Sequence, residues 1–191
     1  MGLLSIEGSD SFLPKRRFYF LKDDISVCFI RAKQLHELRN GAKTPDKGTW
    51  AAHTFADRSK ICRVAGLECS GLSRPFRAPH HTVSTHGLLG SYGRGWDWRP
   101  GEITLAHGGT LYLDGVEEFP WSSLEIVRSA WQRGECGLRG FTAPGWFDLI
   151  LHQREKEWPR MPLWVREAME AQEPYNDDEL EVLGAGKERI K

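Results

Sequence analysis

The run TLYLD at residues 110–114 does most to limit what this chain folds into. It is too short and too apolar for a surface helix. It is followed by SSLEIVRSAWQRG (122–134), which has helical spacing, and then by FDLILH (147–152), a second short apolar run. Two such runs separated by one helix-length segment are the pattern of parallel strands joined by a crossover helix, so an α/β sheet is expected. Side chains alternate along a strand, which puts Leu111 and Leu113 on one face and Tyr112 on the other. Asp114 then falls at the carboxyl end of the strand, where open α/β sheets place their ligands.

The remaining chain divides by texture. Residues 1–60 form an N-terminal segment in which RFYFL (17–21) and ISVCFI (25–30), separated by Lys22-Asp23-Asp24, read as a hairpin. RAKQLHELRN (31–40) has helical spacing closed by Gly41, and GAKTPDKGTW (41–50) reads as a loop. Residues 61–155 form the core, with a short strand at VAGL (64–67) and an extended FRAPHH (76–81), where Pro75 and Pro79 forbid a helix. A glycine-studded loop follows at 87–102. Residues 156–191 hold an amphipathic helix over 162–172 and an acidic tail.

Composition excludes several classes. With 26 basic and 26 acidic residues, the total charge gives no long-range attraction to nucleic acid or acidic lipid, so any such surface is local. The split is uneven: residues 1–75 carry 13 basic against 8 acidic, leaving 13 against 18 in the remainder. No apolar run approaches the roughly 20 residues of a membrane span, and MGLLSIEGSD lacks the features of a secretion signal. A cytoplasmic protein with no membrane partner is expected. The four cysteines have irregular spacing and no CxxC pair, which fits reduced thiols.

Several blocks occur in a telling order: RPFRAPHHT (74–82), RPGEITLAHGGTLYLD (99–114), EEF (117–119), a helix closing on Gly134-Glu135, and FTAPGWFDLI (141–150). This series resembles the magnesium-chelatase subunit I and ComM-like branch of the AAA+ ATPases over about residues 61–155. The resemblance implies a P-loop-NTPase-like (AAA+) αβα sandwich core, here incomplete and without the helical lid. It also implies assembly into rings, ATP and Mg²⁺ as cofactors, and relatives that act in metal insertion into porphyrins or in moving DNA branches. By the same resemblance Asp114 is the cofactor-binding and metal residue, holding Mg²⁺ through water. A strand-end carboxylate capping the following turn is the plainer reading of the same residue.

The chain departs from that pattern at three catalytic positions. Residue 115 is Gly where the family has the Glu that polarises the attacking water. The remaining catalytic candidates are Glu117, which in an extended chain would lie on the same side about 6.6 Å further on, and Glu118, which aligns with the family's second Glu. No GxxxxGK[ST] loop precedes RPFRAPHHT; the only Gly-Lys is Gly186-Lys187 in the tail. Arg154 stands where the family has an Asn that senses the terminal phosphate, and no block corresponds to the ring arginine and lid.

Two other chemistries are open to weighing. His80, His81, His86 and His107 with Cys62 or Cys69 offer zinc-type ligands, at spacings that match no compact zinc module. Arg74, Arg77, Arg94 and Arg99 interleave with Phe76, Tyr92, Trp96 and Trp98, a mixture suited to phosphates and exposed bases or to a protein partner. Its alternative is packing of Trp96 and Trp98 on the domain, with the arginines paired to carboxylates. Two functional readings follow. In one the chain is a non-hydrolysing interaction or regulatory module with a protein partner or as a homo-oligomer. In the other it is an ATP-binding ATPase, DNA-associated in one version, whose phosphate site is atypical or supplied by a partner.

Overall fold

The computed structural model describes residues 18–21, 32–33, 49–67, 74–92, 98–138, 140–155 and 157–170. Its strands are β1 (Phe18–Leu21), β2 (Phe76–Arg77), β3 (Gly90–Tyr92), β4 (Trp98–Pro100), β5 (Thr110–Asp114), β6 (Glu135–Leu138), β7 (Phe141–Pro144) and β8 (Asp148–His152). The helices are α1 (Thr49–Ala65), α2 (Thr85–Leu89), α3 (Glu102–Leu105), α4 (Trp121–Arg133) and α5 (Leu163–Glu170). β1, β8, β5 and β2 form one parallel sheet in that order, while β3–β4 and β6–β7 are antiparallel hairpins.

Alternation along the two central strands builds both halves of the core. Leu111, Leu113, Leu149 and Leu151 point to one face, where they meet Phe18 and Phe20, Leu124, Val127 and Ala130 of α4, and Trp164 and Val165 of α5. The α4 residues recur every three positions, the period that gives a helix one apolar stripe. Each leucine fully removed from water here stabilises by about 1.5–3 kcal/mol. On the opposite face Leu21, Tyr112 and Ile150 pack with Ala32.

At the amino end the sheet is held by main-chain links. Thr110 N–H donates to the Pro75 carbonyl at 2.9 Å, and Asp148 N–H donates to the Gly109 carbonyl at 2.9 Å. Gly109 is required by this approach, because a Cβ there would lie 2.0 Å from the Pro75 carbonyl oxygen. Arg74 closes the same corner, donating to Gly108 O at 2.8 Å and pairing with Asp148 at 3.2 Å while nearly buried.

Two expectations change. Phe18–Leu21 lies parallel to β8 in the main sheet, and residues 25–30, the other half of the expected hairpin, fall outside the described residues. VAGL is not a strand, because α1 runs through Ala65 and closes with Leu67 N–H donating to the Cys62 carbonyl at 2.8 Å. The loop expected at 87–102 contains the end of α2 and the β3–β4 hairpin, with Tyr92 opposite Trp98. The expected helix over 31–40 is described only at Ala32–Lys33, where the backbone is helical. α5 occupies most of the helix expected over 162–172. None of the described helices is long and apolar enough to cross a membrane.

Candidate functional site

The parallel register puts Asp114 of β5 directly beside His152 of β8, on the face that also carries Tyr112. The two strands end together, so the side chains that close them meet. His152 is fully buried, with its Nδ1 2.7 Å from Asp114 Oδ1. The Tyr112 hydroxyl lies 3.2 Å from the same nitrogen and donates to Asp114 Oδ1 at 3.4 Å.

Two residues past the end of β8 the chain turns back over this pair. Arg154 donates through Nη2 to Asp114 Oδ2 at 2.6 Å and through Nε to Asp114 Oδ1 at 3.3 Å. Its Nη1 reaches Glu118 Oε1 at 3.2 Å, and the other oxygen of Glu118 lies 2.7 Å from His81 Nδ1. Glu117 holds the turn itself: its Oε1 accepts from the backbone amides of Arg154 at 2.8 Å and Glu155 at 2.7 Å. A charged acceptor on two adjacent amides is a strong anchor for a loop.

Gly115 makes room for this arrangement. It has a left-handed backbone (φ 64°), which favours glycine. A Cβ there would also approach Arg154 Nε at 3.1 Å and Cδ at 3.2 Å. The two departures noted in the sequence, glycine at 115 and arginine at 154, are therefore neighbours, and a side chain at 115 would crowd the arginine.

The electrostatics follow from these contacts. Burial acts to raise the Asp114 carboxyl, but hydrogen bonds from Arg154 and His152, with their charges, outweigh it and hold it below its ordinary range. The bond to Asp114 is the main cause that raises Arg154, helped by Glu118. Asp114 is thus an ionised carboxylate already matched to a cation.

Mg²⁺, brought by ATP, is the group that the fold class brings to mind at this place, and the described residues around Asp114 do not fit a hydrated cation. A guanidinium stands within 2.6 Å of the oxygen a hydrated cation would need. Glu117 gives its Oε1 to two main-chain amides, and Gly115 carries no base. Among the described residues no group of three or more His, Cys, Asp and Glu side chains has a geometry to hold a metal.

The other predicted residues are dispersed. Arg77 makes a two-pronged pair with Glu102 at 2.6 and 2.7 Å, and Trp98 packs against the main core. Arg99 is exposed, while Arg94, Trp96 and Cys69 lie outside the described residues. The histidines do not converge as a set: His80 bonds Thr82, His81 bonds Glu118, and buried His107 accepts from the Trp146 amide at 3.2 Å. Sequence reasoning missed His152 as the neighbour of Asp114. Its signal was the equal length of TLYLD and DLILH, which aligns their last residues.

Residues 51–143 match the model of the family described as magnesium chelatase, subunit ChlI. Over 110 residues the chain is 38% identical to the uncharacterized protein YifB of Escherichia coli (strain K12), covering 56% of this chain and 21% of that protein. Over 62 residues it is 45% identical to the competence protein ComM of Haemophilus influenzae, covering 32% of this chain and 12% of that protein. The chain therefore spans about a fifth or less of the length of these curated relatives. Among solved structures, the complex between subunits BchI and BchD of magnesium chelatase shares the fold, with a TM-score of 0.51 at 15% identity over 88% of this chain and 62% of that one.

Proposed function

We propose that the chain carries a domain of the magnesium-chelatase/ComM-like AAA+ family, as the match over residues 51–143 and the ComM and BchI likenesses support, and that this domain is a non-hydrolysing module that works by interaction or regulation. Its role is to engage a protein partner or further copies of itself, as a member of a ring whose other subunits bind nucleotide. The observation that carries the reading is the Arg154 guanidinium seated on Asp114 above Gly115. Catalysis of phosphoryl transfer is mainly positioning and electrostatic stabilisation, so it needs an available metal carboxylate, a group to orient water, and cations for the phosphates. Here the carboxylate is occupied, residue 115 has no side chain, and the sequence has no lysine loop ahead of β2.

The parent arrangement of subunits is supported for relatives by the BchI–BchD complex, which joins two kinds of subunit. A second reading has one specific observation in its favour. β1 lies beside β8 with its carboxyl end, Leu21, level with Asp114, so the N-terminal segment reaches the candidate site. An atypical phosphate site built from that segment would make the domain an ATP-binding ATPase.

ATP turnover by the purified full chain in Mg²⁺, measured beside Asp114→Asn, separates the two. The proposal expects both proteins at the buffer background. Turnover that is lost with Asp114 would establish the second reading in its place.

A further inference from the structure

On the far edge of the sheet from β1, a cavity of about 110 Å³ opens between α1, β2 and α3. It is lined by Ile61, Cys62, Leu67 and Leu105 together with Arg58 and Arg77. A cavity near 150 Å³ takes a benzene ring, so this one suits a single aliphatic side chain. Beside it the end of α1 presents Val64 and Leu67, 49% and 51% exposed, next to exposed Lys60 and Arg63. The surrounding charges are Arg58, Lys60, Arg63 and Arg77 against Asp57, which pairs Lys60, and Glu102, which pairs Arg77. Among the described residues, four cations against two carboxylates leave two positive charges around an apolar opening.

The sequence contains a segment of the opposite character. Residues 173–183, EPYNDDELEVL, carry five acidic residues and no basic one, with Leu180, Val182 and Leu183 among them. This is the most acidic stretch of the chain and the complement of the groove in both charge and apolar content. The reach is sufficient. α5 ends at Glu170 and packs against β1, and the sheet between β1 and β2 is four strands wide, roughly 15 Å at the usual strand spacing. Ten further residues extend to about 33–36 Å. Tethering to the same chain also gives a local concentration that an untethered peptide lacks.

We infer that the groove between α1, β2 and α3 is a docking site for residues 173–183 of the same chain, with one leucine in the cavity and the carboxylates against Arg58 and Arg63. The segment covers the apolar end of α1 and yields to any partner that offers the same acidic, leucine-bearing chemistry. This inference does not depend on the state of the Asp114 site.

Cys62 reports on the cavity because it lines it. Peptide-resolved alkylation of Cys62 by iodoacetamide would be timed in the full-length chain and in full-length Asp177→Lys/Asp178→Lys, with circular dichroism to confirm an intact fold. Reversal should speed alkylation about fivefold, the population change expected from losing two exposed ion pairs. Adding Lys60→Glu/Arg63→Glu to the reversed tail should bring the rate back, and Leu180→Ser should raise it with the charges intact. An unchanged rate in the tail variants overturns the inference. So does a protection that grows with protein concentration, which would assign the groove to a second copy.

Discussion

Replacing Arg154 by Ala probes the Asp114 site from the side of the cation. The substitution removes three charge-assisted contacts: 2.6 and 3.3 Å to Asp114 and 3.2 Å to Glu118. Asp114 keeps His152 and Tyr112, and Glu118 keeps His81. A hydrogen bond to a charged group contributes about 1.5–3 kcal/mol when buried, and an exposed ion pair about 0.2–1 kcal/mol. With the side chains of Arg154 and Asp114 36% and 30% exposed, the pair lies between these limits, at about 1–2 kcal/mol. At about 2–4 °C per kcal/mol for a chain of this size, Tm should fall by about 2–8 °C in differential scanning calorimetry. The loss should shrink as salt is raised, since part of it is screened. Arg154→Ala combined with Asp114→Asn should cost less than the sum of the two, with a coupling of about 1 kcal/mol. A Tm that is unchanged or higher in Arg154→Ala, with additive singles, would refute the claim that the guanidinium is an integral cation of this site.

Three further outcomes follow from other parts of the fold. Gly109→Ala drives a Cβ into the Pro75 carbonyl and ring, and should destabilise by about 3 kcal/mol in urea unfolding, at the upper end of overpacking costs. Gly115→Glu supplies the acid that the family resemblance implies at this position but sets a side chain at φ 64° against Arg154, and should lower Tm while leaving nucleotide turnover at background. Burial lowers His107 to about 4, below its unfolded value of about 6.5. Above pH 6.5 both states are neutral and this residue adds no pH dependence. As pH falls from 6.5 towards 4 the unfolded state takes up the proton first, and stability is lost at up to about 1.4 kcal/mol per pH unit, about 3 kcal/mol in all. Denaturant midpoints across that window should drop steeply for the native chain and less for His107→Gln.

The central strands were legible because their signal is local. TLYLD and DLILH alternate over five residues, and the helix between them has a regular apolar stripe, so strand, helix and parallel pairing could all be read. The pairing of β1 with β8 was not legible, because nothing within RFYFL points to a partner so far along the chain. α1 was hidden for a different reason. Its described apolar side chains, Ile61, Cys62, Val64 and Ala65, crowd into the last five positions with Val64 exposed, so they form a cluster at one end and no stripe along the helix. At the site, Asp114 and the departures at 115 and 154 stood out one by one. Their contact depends on the register Asp114↔His152, which places residue 154 just beyond the carboxylate. Arg74 and Arg77, weighed as surface for phosphate or as partners of carboxylates, are each paired with a carboxylate, Asp148 and Glu102.

The most direct test of the central claim is a calorimetric titration of Mg-ATP, and of a non-hydrolysable analogue, into the full-length chain with Asp114→Asn as its control. A carboxylate already matched by Arg154 predicts no heat of binding up to millimolar nucleotide and no difference between the two proteins. Micromolar binding that disappears with Asp114→Asn would contradict it, because the carboxylate would then be available to a metal-bound phosphate despite the arginine beside it.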